Sequence, residues 1–487
     1  MFLNSEEIVQ QVRAEFEATL TFVLDPSSSA PSADAVERSL LRRLLGLGRS
    51  LLRLYFVHQA RQHTAQSVAD KQGQPVPYHS EKGRSYLSIF GRVYFMRRYY
   101  YREGAGLFPL DAALNLPPKG TSDLLREWQE QLGVLGAYHK AGDILSRLLG
   151  VNLSTRTLAE EIAEDAEQVS GYYAQSEAPT PDVGATILVV QADGKGVPMI
   201  QPSKASAKVR LTKGQKRARK KEAVVTGVYT IAPCVRTPEQ VTQSFFEKTS
   251  RTPSIEAKRE KPYNKRLWAT LEGKEAALKF SAKQVRLQEG EHIKERVALT
   301  DGAEALQQKV EQQFADFALV LDFVHANEYL WKAANSLLGE NAPEREEWVR
   351  ARTVVMLRGH TDVLIGDLRQ LAKEPTCKRS QSKILLSVAA YYQRNQPYMR
   401  YGTYLAKGWP IATGVIEGAC RHLVKDRCEL SGMRWSQPGA EALLRLRCVE
   451  ENGDWEAFHA FRRTNRQRTL YGIEPNNTQP LELQLAA

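Results

Sequence analysis

Hydrophobic positions recur at helical spacing through residues 5–24 and 35–62, with Leu40, Leu44, Leu45, Leu51, Leu52 and Phe56 marking the second helix; a Pro-Ser break from Pro26 to Pro31 parts them. From Gly83 the period falls to two, and 85–91 with 92–102 read as a hairpin turning near Phe90-Gly91. A helix over 136–149, a turn at Gly150-Val151-Asn152 and a helix capped by Ser154 follow. That outline fits a helix-turn-helix and a plain helical hairpin alike. Residues 168–182 are polar and read as a linker. Beyond them short apolar runs over 187–190, 197–200, 223–231, 296–300 and 317–321 alternate with helical patterns over 263–280 and 303–314, predicting an α/β unit.

Composition adds a partner. In 487 residues, 67 Lys and Arg face 56 Asp and Glu, a formal charge of +11 and a pI near 9.2, which points to a polyanion and most often to nucleic acid. The five cysteines are scattered and never spaced C-x-x-C, which argues for a reducing cytoplasm and against a cysteine zinc site. The opening MFLNSEEIVQQ has acids where a secretory leader needs a basic start, and no apolar run approaches the roughly 18 residues of a membrane span.

The candidate chemistry is carboxylate chemistry. Asp193-Gly194 ends the first apolar run, Asp301-Gly302 ends a later one and Asp322 a third, so three acids close strands of one unit. An Asp-Gly pair also suits a simple turn. Between the runs lies a block without acids that includes Lys204, Lys208, Lys213, Lys216, Arg217, Arg219, Lys220 and Lys221, a grip for phosphate backbone. Glu417 falls in a helix capped near Thr413, and i, i+4 spacing puts Arg421 and Lys425 on its face, either as an exposed ion-pair ladder or as a path for DNA. Arg97 and Arg98, interleaved with tyrosines, and Arg156 of the helix-turn-helix are further DNA-binding candidates.

Four segments in order, Q-A-D-G-K at Asp193, L-T-D-G-A-E-A-L at Asp301, L-D-F-V-H-A-N-E-Y-L-W from Asp322 and G-V-I-E-G-A-C-R-H at Glu417, together with S-G-M-R-W-S carrying Arg434 and Trp435, resemble bacterial insertion-sequence transposases of the DDE type, of the ISKra-type group related to the Mutator-like and hAT-like branch. The resemblance spans about 85–460. It implies a ribonuclease-H-like core with a mixed five-stranded sheet and a helical insertion, behind a mainly helical DNA-binding region containing a β-hairpin. The implied division is 1–80, a helical region; 81–180, hairpin and helix-turn-helix; 183–329, first part of the core; 330–408, the insertion; 409–450, the core's last part; and 451–487, a tail. Asp193, Asp301 and Glu417, spaced 108 and 116 residues apart, would be catalytic and would ligate two Mg²⁺ or Mn²⁺ ions. Asp322 and His325 would support them, with Asp322 the competing choice for second ligand; Arg434 and Trp435 join the DNA contacts. The implied partners are double-stranded DNA, as terminal inverted repeats and target, and a second copy of the chain in a homodimer or higher oligomer in the bacterial cytoplasm, with no membrane. Two other readings stay open: a ribonuclease-H-like nuclease that cuts without joining, and a domesticated DNA-binding protein with a silent site.

Overall fold

The computed structural model describes residues 5–24, 32–200, 220–247 and 260–473, and the chain divides into two compact units, Met1–Tyr172 with Asp454–Ala487, and Tyr173–Gly453. No helix among the described residues is long and apolar enough to cross a membrane.

The first unit begins with helices α1 (Ser5–Leu24) and α2 (Ala33–Gln62). An antiparallel sheet follows in the order β1 (Ser67–Ala69), β2 (Pro75–Ser88), β3 (Gly91–Arg102), β4 (Ala105–Leu107). Ser88 pairs with Gly91 across a two-residue turn, and the positive φ of Gly91, 103°, is why glycine follows Phe90. Phe56 of α2 stacks on Phe95 of β3 at 4.4 Å, the centre of a small core with Val93, Leu110 and Leu116. Helices α3 (Pro109–Ala113), α4 (Asp123–Leu135), α5 (Tyr138–Leu149) and α6 (Thr155–Ala174) come next. Gly150 ends α5 in the left-handed region and the Ser154 hydroxyl accepts the Thr157 N–H at 3.0 Å, the turn and cap expected there. The expected linker at 168–182 begins late. The last turns of α6 occupy 168–174, because Val169 and Tyr173 are buried one helical turn apart.

The second unit holds β5 (Ile187–Pro198), β6 (Lys220–Ile231), α7 (Pro238–Phe246), β7 (Tyr263–Thr270), α8 (Lys274–Gln288), β8 (Glu295–Thr300), α9 (Glu304–Gln313) and β9 (Ala318–Leu321). Its mixed five-stranded sheet runs β7-β6-β5-β8-β9, antiparallel from β7 to β5 and parallel from β5 to β9. Two expectations need correction. The runs at 187–190 and 197–200 are one strand, β5, ending at Pro198; Asp193-Gly194 does not turn, since Gly194 and Gly196 stay paired with Val224 and Glu222 and leave room for the Glu222 and Lys220 side chains. The helix expected over 263–280 divides into β7 and α8, because Leu267 to Thr270 are buried against β6 and Gly273, at φ 101°, breaks the chain direction.

Side chains alternate across this sheet. Leu188, Val190, Ala192 and Ala298 meet Leu278 of α8 and Leu306 and Val310 of α9 on one face. Ile187, Val189, Val297 and Leu299 meet the other layer, built after β9 from α10 (Phe323–Leu338), α11 (Glu344–Leu357), α12 (Thr361–Leu371), α13 (Arg379–Asn395) and α14 (Tyr401–Ala406). The chain closes with α15 (Gly414–Ala419), a π-turn (Cys420–Lys425), α16 (Asp426–Cys428) and α17 (Gln437–Glu451), which covers the β7 edge as Ala269 N–H meets Cys448 Sγ at 3.2 Å. Helix α18 (Trp455–Thr469) lies where a tail was expected; it belongs to the first unit, with Trp455 and Phe458 buried and Arg466 gripping Asp123 at 2.7 Å.

Candidate active site

The sheet register brings the acids together. Each β5 residue pairs in parallel with the β8 residue 108 positions later, as Gln191 with Leu299, and each β8 residue with the β9 residue 21 positions later, as Thr300 with Leu321. Carried one or two steps past the last bonded pairs, this register sets Asp193, midway along β5, beside Asp301 and Asp322, which follow the last residues of β8 and β9, with strands about 4.8 Å apart. Asp193 shares the parity of Ile187 and Val189, and Asp301 that of Val297 and Leu299. Both acids therefore face the helical layer.

The three aligned acids have different surroundings. Asp322 is 1 % exposed; one oxygen accepts the Thr413 N–H at 2.7 Å and the Thr413 hydroxyl, the other the His325 N–H at 3.0 Å, so it caps α10 and ties it to the start of α15. With both oxygens so engaged, it fits the supporting role. Asp301 is half-buried and accepts the Ala303 N–H at 2.9 Å. Its loop is clamped by α13: Tyr391 Oη donates to the Asp301 carbonyl at 3.4 Å and Arg394 to the Gly302 carbonyl at 2.6 Å. Gly302 is required there, having φ 87° and space that a Cβ would share with Tyr391 Oη at 2.7 Å. Asp193 accepts the Gly194 N–H at 2.6 Å and the Cys420 thiol at 3.4 Å.

Glu417 arrives from α15. The buried Gln191, two residues before Asp193 on the same face of β5, accepts the Ile416 N–H at 3.0 Å and donates to Tyr229 Oη at 2.9 Å and to the Ala412 carbonyl at 3.5 Å. One carboxamide thus registers the Glu417 helix against the Asp193 strand. Thr413 Oγ1 lies 3.5 Å from Glu417 Oε1. Burial, then the charge of Asp301, raises the Asp193 pKa against the pull of its hydrogen bonds and of His325. Partial desolvation, then the charges of Asp322 and Asp193, raises that of Glu417, although its side chain reaches solvent. None of the three acids forms an ion pair among the described residues. Nor do they close on one another as tightly as a preformed single-ion site; the one trio of ligand atoms within 4.8 Å of each other among the described residues lies in the first unit.

The expected DNA contacts fare unevenly. Arg97 sits in a buried pair with Asp111, shared with Arg84, and over the Phe108 ring at 3.6 Å; Arg98 donates to the Thr64 carbonyl at 2.9 Å and covers Tyr78. Arg97 is thus taken up in holding the first unit together, whereas Arg98 is only partly buried. Arg156 is 88 % exposed beside Glu160. Lys220 pairs with Glu429, and Lys221 is half-buried. Lys213, Lys216, Arg217 and Arg219 lie outside the described residues. Arg421 and Lys425 are exposed, but the π-turn replaces the regular helix on which their alignment with Glu417 was based, and Arg421 approaches Asp426 at 3.5 Å. Arg434 is exposed; the Trp435 indole N–H instead donates to the Cys428 carbonyl at 3.1 Å, while its backbone bonds to Pro198 and Ile200 at the end of β5.

Gln191, Cys420, Tyr391 and Arg394 were missed in the sequence. Gln191 had a signal, the one polar side chain in the buried run Ile187 to Ala192; the others, standing in helical patterns, had none. No protein-family model matches this chain, and neither does any curated protein.

Proposed function

We propose that the chain is a DNA transposase of the DDE type, whose second unit is a ribonuclease-H-like core and whose catalytic acids are Asp193, Asp301 and Glu417. The strand order supports the core assignment: a central strand with two antiparallel neighbours in succession on one side and two parallel ones on the other. The observation that carries the function is the register of Asp193 with Asp301, joined by Glu417, in a charge-coupled group that forms no ion pair among the described residues. Mutually repelling carboxylates of this kind fit hard divalent cations. Bound Mg²⁺ or Mn²⁺ would supply Lewis-acid activation of a water or 3′-hydroxyl oxygen and stabilise the leaving oxygen.

The chain's own residues set the geometry. Asp193 and Asp301 hold fixed places on the sheet, Gln191 and Thr413 position Glu417, and α13 holds the Asp301 loop. His325, with its side chain 42 % exposed and its N–H on Asp322, stands near enough to Asp193 to act on its carboxylate. Phosphate contacts fall to Lys221, Arg421, Lys425 and Arg434, with the 204–219 block, and end recognition to α5 and α6 with Arg156. Pairing two inverted-repeat ends requires at least two chains.

The test supplies Mg²⁺, a terminal inverted-repeat duplex with a free 3′-hydroxyl and a target plasmid. Wild type yields joined product; Asp193→Asn, Asp301→Asn and Glu417→Gln each bind ends and join none. Cleavage without joining would replace the reading by a nuclease, and full activity in any of the three variants would remove that residue from the site.

A further inference from the structure

The first unit buries a second group of acids that the proposed chemistry leaves unused. Glu130 of α4, Asp165 of α6 and His459 of α18 are 0, 2 and 0 % exposed, and one ligand atom from each lies within 4.8 Å of the other two. Two guanidiniums border them. Arg126 Nε donates at 3.0 Å to both Glu130 Oε1 and Asp165 Oδ2, its Nη2 donates to Asp165 Oδ1 at 2.6 Å, and Arg462 Nε stands 3.2 Å from Asp165 Oδ2.

What these pairs leave over points to a ligand. Glu130 Oε2 and both ring nitrogens of His459 are buried without a hydrogen-bond partner, and Nε2 faces Oε2 at 3.9 Å. A buried donor or acceptor that nothing satisfies destabilises the fold. The ring cannot readily turn toward other acceptors, being wedged between Trp455 at 4.7 Å and Phe458 at 5.3 Å. Burial, then the neighbouring arginines, holds His459 down to about 2, so the imidazole is neutral and its lone pair is available. A proton shared between the Glu130 and Asp165 carboxyls is the other occupant this gap could take. Ligands of one small divalent ion at about 2.0–2.2 Å stand roughly 3–4 Å apart, as Nε2 and Oε2 do.

We propose that Glu130, Asp165 and His459 hold one divalent transition-metal ion, of the Zn²⁺ or Mn²⁺ class suited to mixed nitrogen and oxygen donors, which fastens the C-terminal helix α18 to α4 and α6. All three ligand residues are buried away from solvent and join three helices, so the role of the ion is structural. It would make the fold of the first unit depend on metal, independently of the acids of the second.

The experiment uses the full chain carrying Asp193→Asn and Glu417→Gln, which disables the other cation pocket. The protein is stripped with chelator, loaded with Zn²⁺, freed of loose ions by gel filtration and analysed for metal. One retained Zn²⁺ per chain, lost on adding His459→Gln or Glu130→Gln, supports the site. So does a visible absorption band from Co²⁺ loaded in place of Zn²⁺, a readout that needs no further substitution. A chain that retains no metal, retains it equally with His459→Gln, or melts at the same temperature with and without chelator overturns the proposal and leaves a proton on Glu130 as the compensating charge.

Discussion

Gln191→Leu separates positioning from folding. The substitution keeps volume in β5 and removes the acceptor of the Ile416 N–H, together with the donor to the Ala412 carbonyl. A buried N–H left unsatisfied costs about 1–3 kcal/mol, so the protein should lose roughly 2 kcal/mol of stability and stay folded. The larger effect should fall on chemistry. Ile416 precedes Glu417, and this bond, with the Asp322 contacts to Thr413, fixes the start of α15 on the sheet. Misplacement of a catalytic group by about 1 Å costs on the order of 100-fold. The assay is single-turnover strand transfer against Mg²⁺ concentration, with end binding measured alongside. The expected result is transfer reduced 10- to 100-fold, a higher Mg²⁺ requirement and unchanged end binding. Val190→Ala is the control: it removes a buried side chain from the opposite face of the same strand at a similar stability loss of about 2 kcal/mol. Transfer within twofold of wild type in Gln191→Leu, or an equal loss in Val190→Ala, would refute the positioning role.

The same electrostatics yields three further expectations. Asp193→Asn and Glu417→Gln should each raise the melting temperature of the metal-free protein, by about 1–3 °C, while abolishing transfer, because each removes a member of a self-repelling cluster; a lower melting temperature in both would contradict the coupling. Raised carboxyl pKa values mean that the folded chain binds protons more tightly than the unfolded one. Metal-free stability should thus fall as pH rises from the ordinary carboxylate range through the raised native values, and the double variant should flatten that slope in melts across that window. Transfer has the opposite sign, declining as pH falls through the same window because protonated acids cannot hold cations. Gly302→Ala forces a side chain into the left-handed region against Tyr391 and Leu321; a loss of about 1–3 kcal/mol in denaturant melts and a displaced Asp301 with sharply reduced transfer are expected.

Much of this was legible locally. The N-terminal helices, the hairpin turn and the Ser154 cap rest on neighbours within a few residues, and the structure has them where the pattern put them. What failed depended on partners distant in sequence. Asp193-Gly194 has the composition of a turn, yet β6 pairs straight through it, and only the opposite Glu222 and Lys220 explain the two glycines. The 263–280 pattern reads as one helix until β6 offers an edge to Leu267 through Thr270. Arg97 looks free in a basic tyrosine-rich strand; Asp111, which claims it, is 14 residues away. Counting five strands succeeded because one division too many at 197–200 offset one strand missed at β7.

The site's dimensions follow from the hydrophobic pairing of the sheet rather than from the acids. A slip of one residue between β5 and β8 would turn Ile187 and Val189 away from their layer and carry Asp193 to the face covered by α8 and α9. The apolar alternation that fixes the core therefore also fixes which face the carboxylates occupy, and the 108-residue offset from Asp193 to Asp301 is the strand register itself. Glu417 has no such guarantee. It stands on α15, which runs on into the π-turn and is tied to the sheet by Gln191 and by the Asp322 contact to Thr413, side-chain bonds that a repelling neighbour can strain. The sheet acids are preorganised by the core, whereas the third depends on a few buried polar contacts, so substitutions that disturb catalysis without disturbing folding should concentrate around α15.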